Sequence, residues 1–215
     1  MRARLRMVEK QIAGRGIRDP AVLDAMRLVP REMFVEKGFE TFAYNDCPLP
    51  IGKGQTISQP YMVALMIEAA EVKRDDTVLE IGAGLGYATA ILSRIAAHVI
   101  AVERHASLAA GAAERLHRLG YDNVDLHCGD GSRGWPKAAP FGAVLVSAAA
   151  PEVPQALKEQ LAVGGRLLIP VGPEEGRQTL LKIVRKGPDD FTTQTLGAVI
   201  FVPLISERGG TEDYD

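Results

Sequence analysis

The sequence predicts an α/β fold: a mostly parallel sheet of seven strands with helices on both faces, preceded by a helical N-terminal extension. Three observations carry this expectation. Apolar, β-branched runs alternate with helical stretches from residue 77 to residue 171, the pattern of strand–helix–strand crossovers. The first run, Thr77 to Ile81, passes directly into a turn with glycines at 82, 84 and 86 and then into a helical stretch from Tyr87. Glycine at such a turn gives left-handed backbone or lets a ligand press against the chain. The last two strand signals, residues 178–186 and 192–204, are separated by Gly187-Pro188-Asp189-Asp190 and read as an antiparallel pair.

In chain order, residues 1–45 form the helical extension, interrupted at Gly14, Gly16 and Pro20, with Asp19 as N-cap and Pro20 at the first helical position. Val22, Leu23, Met26 and Val29 give its second helix an apolar stripe, suited to a buttress or lid on the main domain. Arg2, Arg4, Arg6 and Lys10 read as a solvated face rather than an RNA contact. Residues 46–60 form a loop with Pro48, Pro50, Gly52, Gly54 and Pro60, too punctuated for regular structure and long enough to be functional. A helix follows over residues 61–70 with Pro60 in its first turn, so Ser58 stands at its entrance. Either Ser58 or Gln59 caps that helix, or the hydroxyl and the exposed N–H groups receive an anion such as a carboxylate. Gly52-Lys53-Gly54 lacks the Gly-Lys-Ser/Thr ending of a phosphate loop. The main domain spans residues 61–208, with strands at 98–102, 123–127, 143–147 and, after a Gly164-Gly165 turn, 166–171; helices fall at 107–119 and 153–161. A disordered tail is expected at 209–215.

The chain has 215 residues, 25 basic and 27 acidic, for a net charge of -2, which leaves no electrostatic footprint for a nucleic-acid backbone. Cys47 and Cys128 belong to no Cys-x-x-Cys or Cys/His cluster, which favours free thiols, a reducing compartment and no metal. The basic start has no apolar run behind it, and no stretch approaches a membrane span. A cytoplasmic location is therefore expected.

Glu103 ends the second strand, where a nucleotide fold places an acid to accept from ribose hydroxyls. Glu80 lies inside the first strand, where a carboxylate is costly unless aimed at a cationic or hydrogen-bonding group. Asp130, between Gly129 and Gly131 after the third strand, could accept from an adenine amine or simply form a turn. The Gly82-x-Gly84-x-Gly86 spacing departs from the dinucleotide fingerprint, and little chain remains for a second substrate domain. S-adenosyl-L-methionine therefore fits better than a nicotinamide dinucleotide. After the fourth strand the run is Ser147-Ala148-Ala149-Ala150-Pro151, not the Asn/Asp-Pro-Pro-aromatic grip of nucleic-acid amino methylases. A carboxylate acceptor, already ionised at neutral pH, needs positioning rather than a general base.

Several segments together resemble the protein-L-isoaspartate (D-aspartate) O-methyltransferase family: Arg27 to Val35, Pro48 to Met62 with its Gly-Gln-Thr-Ile-Ser-Gln-Pro-Tyr-Met core, Val78 to Tyr87, Gly129-Asp130-Gly131, Ala148 to Leu157, Gly164 to Gly172 and Val202-Pro203-Leu204. Thr56 to Pro60 is the family-specific part; the glycine turn is common to S-adenosylmethionine enzymes. The resemblance implies a Rossmann-like S-adenosylmethionine-dependent methyltransferase that methylates the α-carboxyl of L-isoaspartyl and the β-carboxyl of D-aspartyl residues in damaged proteins and peptides. The ester then cyclises unaided to a succinimide that reopens partly as aspartate. It also implies Ser58 as the active-site serine, Thr56, Ile57 and the backbone at Val202 as the frame for the damaged peptide, and Glu80, Gly82, Gly84, Glu103, Asp130 and Gly131 around the cofactor, which leaves as S-adenosyl-L-homocysteine. A monomer acting on proteins, with no nucleic-acid or membrane partner, is expected. Two departures, Gly142 in place of a usual Asp and Leu85 in place of a usual Ser or Thr, put the cofactor hydrogen bonds in question. A non-catalytic S-adenosylmethionine-binding module and a nicotinamide oxidoreductase are the alternatives.

Overall fold

The structure, a computed structural model, describes residues 1–206; the expected tail lies outside the described residues. Helix α1 (Arg2–Arg6) continues through a π-helical turn at Met7–Ile12 and a 3-10 turn at Ala13–Arg15, and Gly16 stops it at φ 110°. Helix α2 (Pro20–Leu28) starts where the Asp19 carboxylate accepts from the Ala21 N–H at 2.8 Å. Its apolar stripe and the buried Met7, Val8 and Ile12 share one core with α3 (Pro60–Ala70) and α4 (Tyr87–Ser93), while Arg2, Arg6 and Lys10 stay exposed.

The 46–60 loop is more ordered than its punctuation suggests. Strand β1 (Leu49–Pro50) pairs antiparallel with β2 (Thr56–Ile57), because Gly52, Lys53 and Gly54 all take positive φ and reverse the chain between them.

The main sheet contains β3 (Thr77–Ile81), β4 (His98–Glu103), β5 (Val124–Cys128), β6 (Phe141–Val146), β7 (Leu161–Val171), β8 (Gln178–Arg185) and β9 (Phe191–Val199), in the spatial order β5-β4-β3-β6-β7-β8-β9. The first five are parallel to one another, and β8 and β9 are added antiparallel beyond β7. Period-two side chains split β3 between the faces: Val78 joins α3, α4, α5 (Ala106–Arg118) and the N-terminal helices, and Leu79 and Ile81 join the core beneath α6 (Gln155–Glu159). The chain order reverses at β3, which has β4 on one side and β6 on the other. A crevice opens at such a switch point, beyond the carboxyl ends of the strands.

Three boundaries differ from the sequence expectation. Strand β7 begins at Leu161, and Gly164-Gly165 forms an irregularity within it rather than a turn before it; a Cβ on Gly165 would stand 2.8 Å from the Phe141 and Ala162 carbonyl oxygens. Helix α6 is correspondingly short. Strand β9 stops at Val199, and the following residues leave the sheet to meet the end of β6, where the Ala149 N–H donates to the Val202 carbonyl at 2.8 Å and the Leu204 N–H to the Ala149 carbonyl at 2.7 Å.

Candidate active site

The β3–α4 connection turns through Gly82, Gly84 and Gly86 at φ 83°, 57° and 90°, values that an L side chain adopts only under strain. The turn is tied to β4 at two points: the Gly82 N–H donates to the Val102 carbonyl at 2.8 Å, and the Gly84 N–H donates to Glu103 Oε2 at 2.8 Å. Glu103 Oε1 accepts from the His105 N–H at 2.9 Å. Both Glu103 oxygens are thus oriented by backbone donors, and each keeps a lone pair for a further partner.

Glu80 is 1% exposed, and its Oε2 has no hydrogen-bond partner. Burial raises its carboxyl from 4.5 to about 7, and the Glu103 charge adds to the rise. The Thr89 hydroxyl is near enough to favour the ionised form, yet it falls outside hydrogen-bond geometry. A buried acid left this way suits a cationic or donor-bearing ligand.

Ser58 precedes α3, and neither Ser58 nor Gln59 caps that helix with its side chain. Asp46 serves the helix start instead. Its Oδ1 accepts from the Tyr61 N–H at 3.0 Å and its Oδ2 from Gln59 Nε2 at 2.7 Å, while Arg15 Nη1 lies 2.5 Å from Oδ2 and its guanidinium stacks 3.5 Å from the Tyr61 ring centroid. The Ser58 hydroxyl is therefore not taken up by the helix. No local pattern flags Asp46, since the residues it joins come together only when the loop folds back.

An open cleft of about 810 Å³ at the switch point is lined by Thr56, Ile57, Ser58, Glu80, Gly82, Gly84, Glu103, Gly131 and Val202, all expected from the sequence. Gly131 is required there, because a Cβ would stand 2.3 Å from Ile81 Cγ2. Asp130 stands just outside the lining and orders the next turn, its Oδ1 accepting from the Ser132 N–H at 2.9 Å and the Ser132 hydroxyl at 2.7 Å. A second, outer cleft of about 1090 Å³ is lined by Pro48, Met62, Phe201 and neighbours, and shares Thr56, Ser58, Ser147 and Val202 with the first. The two hollows meet at Ser58.

The protein-L-isoaspartate(D-aspartate) O-methyltransferase family profile matches residues 2–209. The chain belongs to this family. It is 59% identical over 212 residues to the protein-L-isoaspartate O-methyltransferase of Methylorubrum extorquens, covering 98% of this chain and 91% of that one. It is 56% identical to protein-L-isoaspartate O-methyltransferase 2 of Pelobacter propionicus, with coverages of 94% and 90%. Among solved structures, a protein-L-isoaspartate O-methyltransferase superposes with TM-score 0.84 at 30% identity, over 94% of this chain and 65% of that longer one. A Plasmodium falciparum member, crystallised with S-adenosyl-L-homocysteine, superposes with TM-score 0.82 at 27% identity, over 95% and 99%.

Within this isoaspartyl methyltransferase fold the two departures separate. Gly142 sits at the amino end of β6, opposite the cleft, where a Cβ would stand 2.2 Å from Asp76 Oδ1. The Asp76 carboxylate fills that space, accepting from the Lys73 N–H at 2.9 Å, so glycine at 142 answers to packing. Leu85 lines the first cleft and is buried. Among the described residues no helix is long and apolar enough to cross a membrane.

Proposed function

We propose that the inner cleft holds S-adenosyl-L-methionine and the outer cleft an isoaspartyl residue, so that Ser58 sets the acceptor carboxylate against the methyl donor. The chain is a protein-repair methyltransferase; its substrates are the α-carboxyl of L-isoaspartyl and the β-carboxyl of D-aspartyl residues in damaged proteins. The observation that carries the assignment of roles is the meeting of the two hollows at the one serine left free at a helix entrance.

The residues present fit the cofactor. The unpartnered Glu80 oxygen suits the ammonium of its amino-acid tail, the glycine turn admits its body at backbone distance, and Glu103 retains acceptor capacity for ribose hydroxyls. Gly131 lines the purine side, and Asp130 just behind it orders the turn that holds Gly131 there. When bound, the cofactor supplies an electrophilic methyl group on a positively charged sulfur. The chain's own part is then orientation. Ser58 donates a hydrogen bond to the carboxylate, Thr56, Ile57 and the Val202 backbone hold the peptide main chain, and the apolar walls Ile51, Val63 and Leu85 limit water. No base is needed, since the acceptor is ionised at neutral pH. Recognition through backbone suits a substrate whose neighbouring side chains vary from site to site.

A cytoplasmic monomer without a nucleic-acid partner is the form we propose; the two free cysteines support a reducing compartment, and the absence of surplus positive charge supports the lack of a nucleic-acid partner. The test is incubation with methyl-labelled S-adenosylmethionine and an isoaspartyl peptide. Base-labile methyl ester should accumulate on that peptide, and equal labelling of the aspartyl isomer would defeat the reading.

A further inference from the structure

We propose that Ser147 is a second hydroxyl that binds the acceptor carboxylate, facing Ser58 across the point of methyl transfer. The inference rests on the repair-methylase reading above. Three hollows converge in this region: the inner cleft, the outer cleft, and a narrow gap between α3 and the sheet, with room for about one water molecule, that reaches Glu80. Ser58 and Ser147 are the two described residues that line all three.

Ser147 is held in place by the sheet. It follows the last residue of β6, and its N–H donates to the Ile81 carbonyl at 2.8 Å, directly beside the glycine turn. A Cβ on Gly82 would lie 3.5 Å from the Ser147 Cβ, so the bare glycine leaves this serine next to the space where the donor methyl must enter. No hydrogen bond within the described residues occupies either the Ser58 or the Ser147 hydroxyl.

The uncharged lining of the outer cleft leaves a place for such a group. Its lining is Pro48, Met62 and other uncharged residues, with no lysine or arginine among those described. A carboxylate entering it loses water from two oxygens and must be satisfied by neutral donors. A cation there would draw electron density from the attacking oxygen and repel the sulfonium, whereas two hydroxyls satisfy the carboxylate and leave it reactive. Ser58 from the helix entrance and Ser147 from the carboxyl end of β6 approach from different elements, so together they fix the carboxylate plane, which one donor cannot do.

The experiment compares the unaltered chain, Ser147→Ala and Ser147→Thr. Initial rates with an isoaspartyl peptide are combined with calorimetry of S-adenosyl-L-homocysteine binding and of peptide binding to the homocysteine complex. For Ser147→Ala, kcat/KM should fall about tenfold and peptide affinity should weaken in step, while S-adenosyl-L-homocysteine affinity stays within about twofold. Ser147→Thr, which keeps the hydroxyl, should recover most of the loss. An unchanged kcat/KM in Ser147→Ala overturns the inference while leaving the repair reading intact, provided the unaltered chain methylates the peptide. A parallel loss of S-adenosyl-L-homocysteine affinity overturns it as well, by assigning the hydroxyl to the cofactor. No transfer by the unaltered chain defeats both.

Discussion

Glu80→Gln isolates the energetic cost of the buried acid. Folding carries the Glu80 carboxyl from 4.5 to about 7, chiefly by removing it from water. Each pKa unit corresponds to about 1.4 kcal/mol, so the fully ionised side chain costs the ligand-free fold on the order of 3 kcal/mol relative to the protonated one. The sign follows from the raised value. Stability is fully present below 4.5, declines as the unfolded state ionises first, and levels off once pH exceeds about 7. Glutamine removes this titration. Urea unfolding of the unaltered chain and Glu80→Gln, taken in steps from about pH 5 to pH 8, should show the variant gaining roughly 2 kcal/mol on the unaltered chain over that interval. The same substitution should weaken S-adenosyl-L-homocysteine binding at pH 8 by about tenfold, since a charged acceptor for the ammonium is lost. A stability difference that stays constant over the pH series, or one that moves in favour of the unaltered chain as pH rises, would refute the argument.

Ser58→Ala should lower turnover on isoaspartyl peptide with S-adenosyl-L-homocysteine affinity nearly unchanged; equal turnover would show that the hydroxyl has no part in acceptor positioning. Asp46→Ala removes the acceptor for the Tyr61 N–H and for Gln59 Nε2, and should cost about 1–2 kcal/mol in denaturant unfolding together with a drop in kcat. Unaltered stability would mean that water replaces the carboxylate without loss. Gly142→Ala drives a methyl group against the Asp76 carboxylate and should destabilise by about 1–3 kcal/mol with no change in S-adenosyl-L-homocysteine affinity. A change in that affinity would tie position 142 to the cofactor after all.

Much of the cleft around the glycine turn was legible in the sequence because its signals are local. The β-branched run of β3, three glycines that must take positive φ, and an acid at the end of β4 each follow from backbone preferences within a few residues, and the parallel sheet follows from their repetition. The Ser58 side was harder. Ser58 looked equally able to cap α3, and the competition was decided by Asp46, whose carboxylate reaches the helix start only after the β1–β2 ladder turns the loop back. The last strand read as continuing to 204, since Phe201, Val202 and Leu204 remain apolar; it ends at Val199 because the segment beyond finds hydrogen bonds with Ala149 outside the sheet.

By itself, then, the chain's order of residues determined the α/β class, the glycine turn with its acids, and the family to which the loop serine belongs. Only the tertiary structure decided that Ser58, Ser147 and Val202 border one space, that Asp46 rather than Ser58 serves the helix, and that Gly142 answers to Asp76. The reason is physical. Turn and strand preferences are set by sterics between near neighbours, whereas these meetings depend on the reversal of strand order at β3, which joins segments with no shared local pattern.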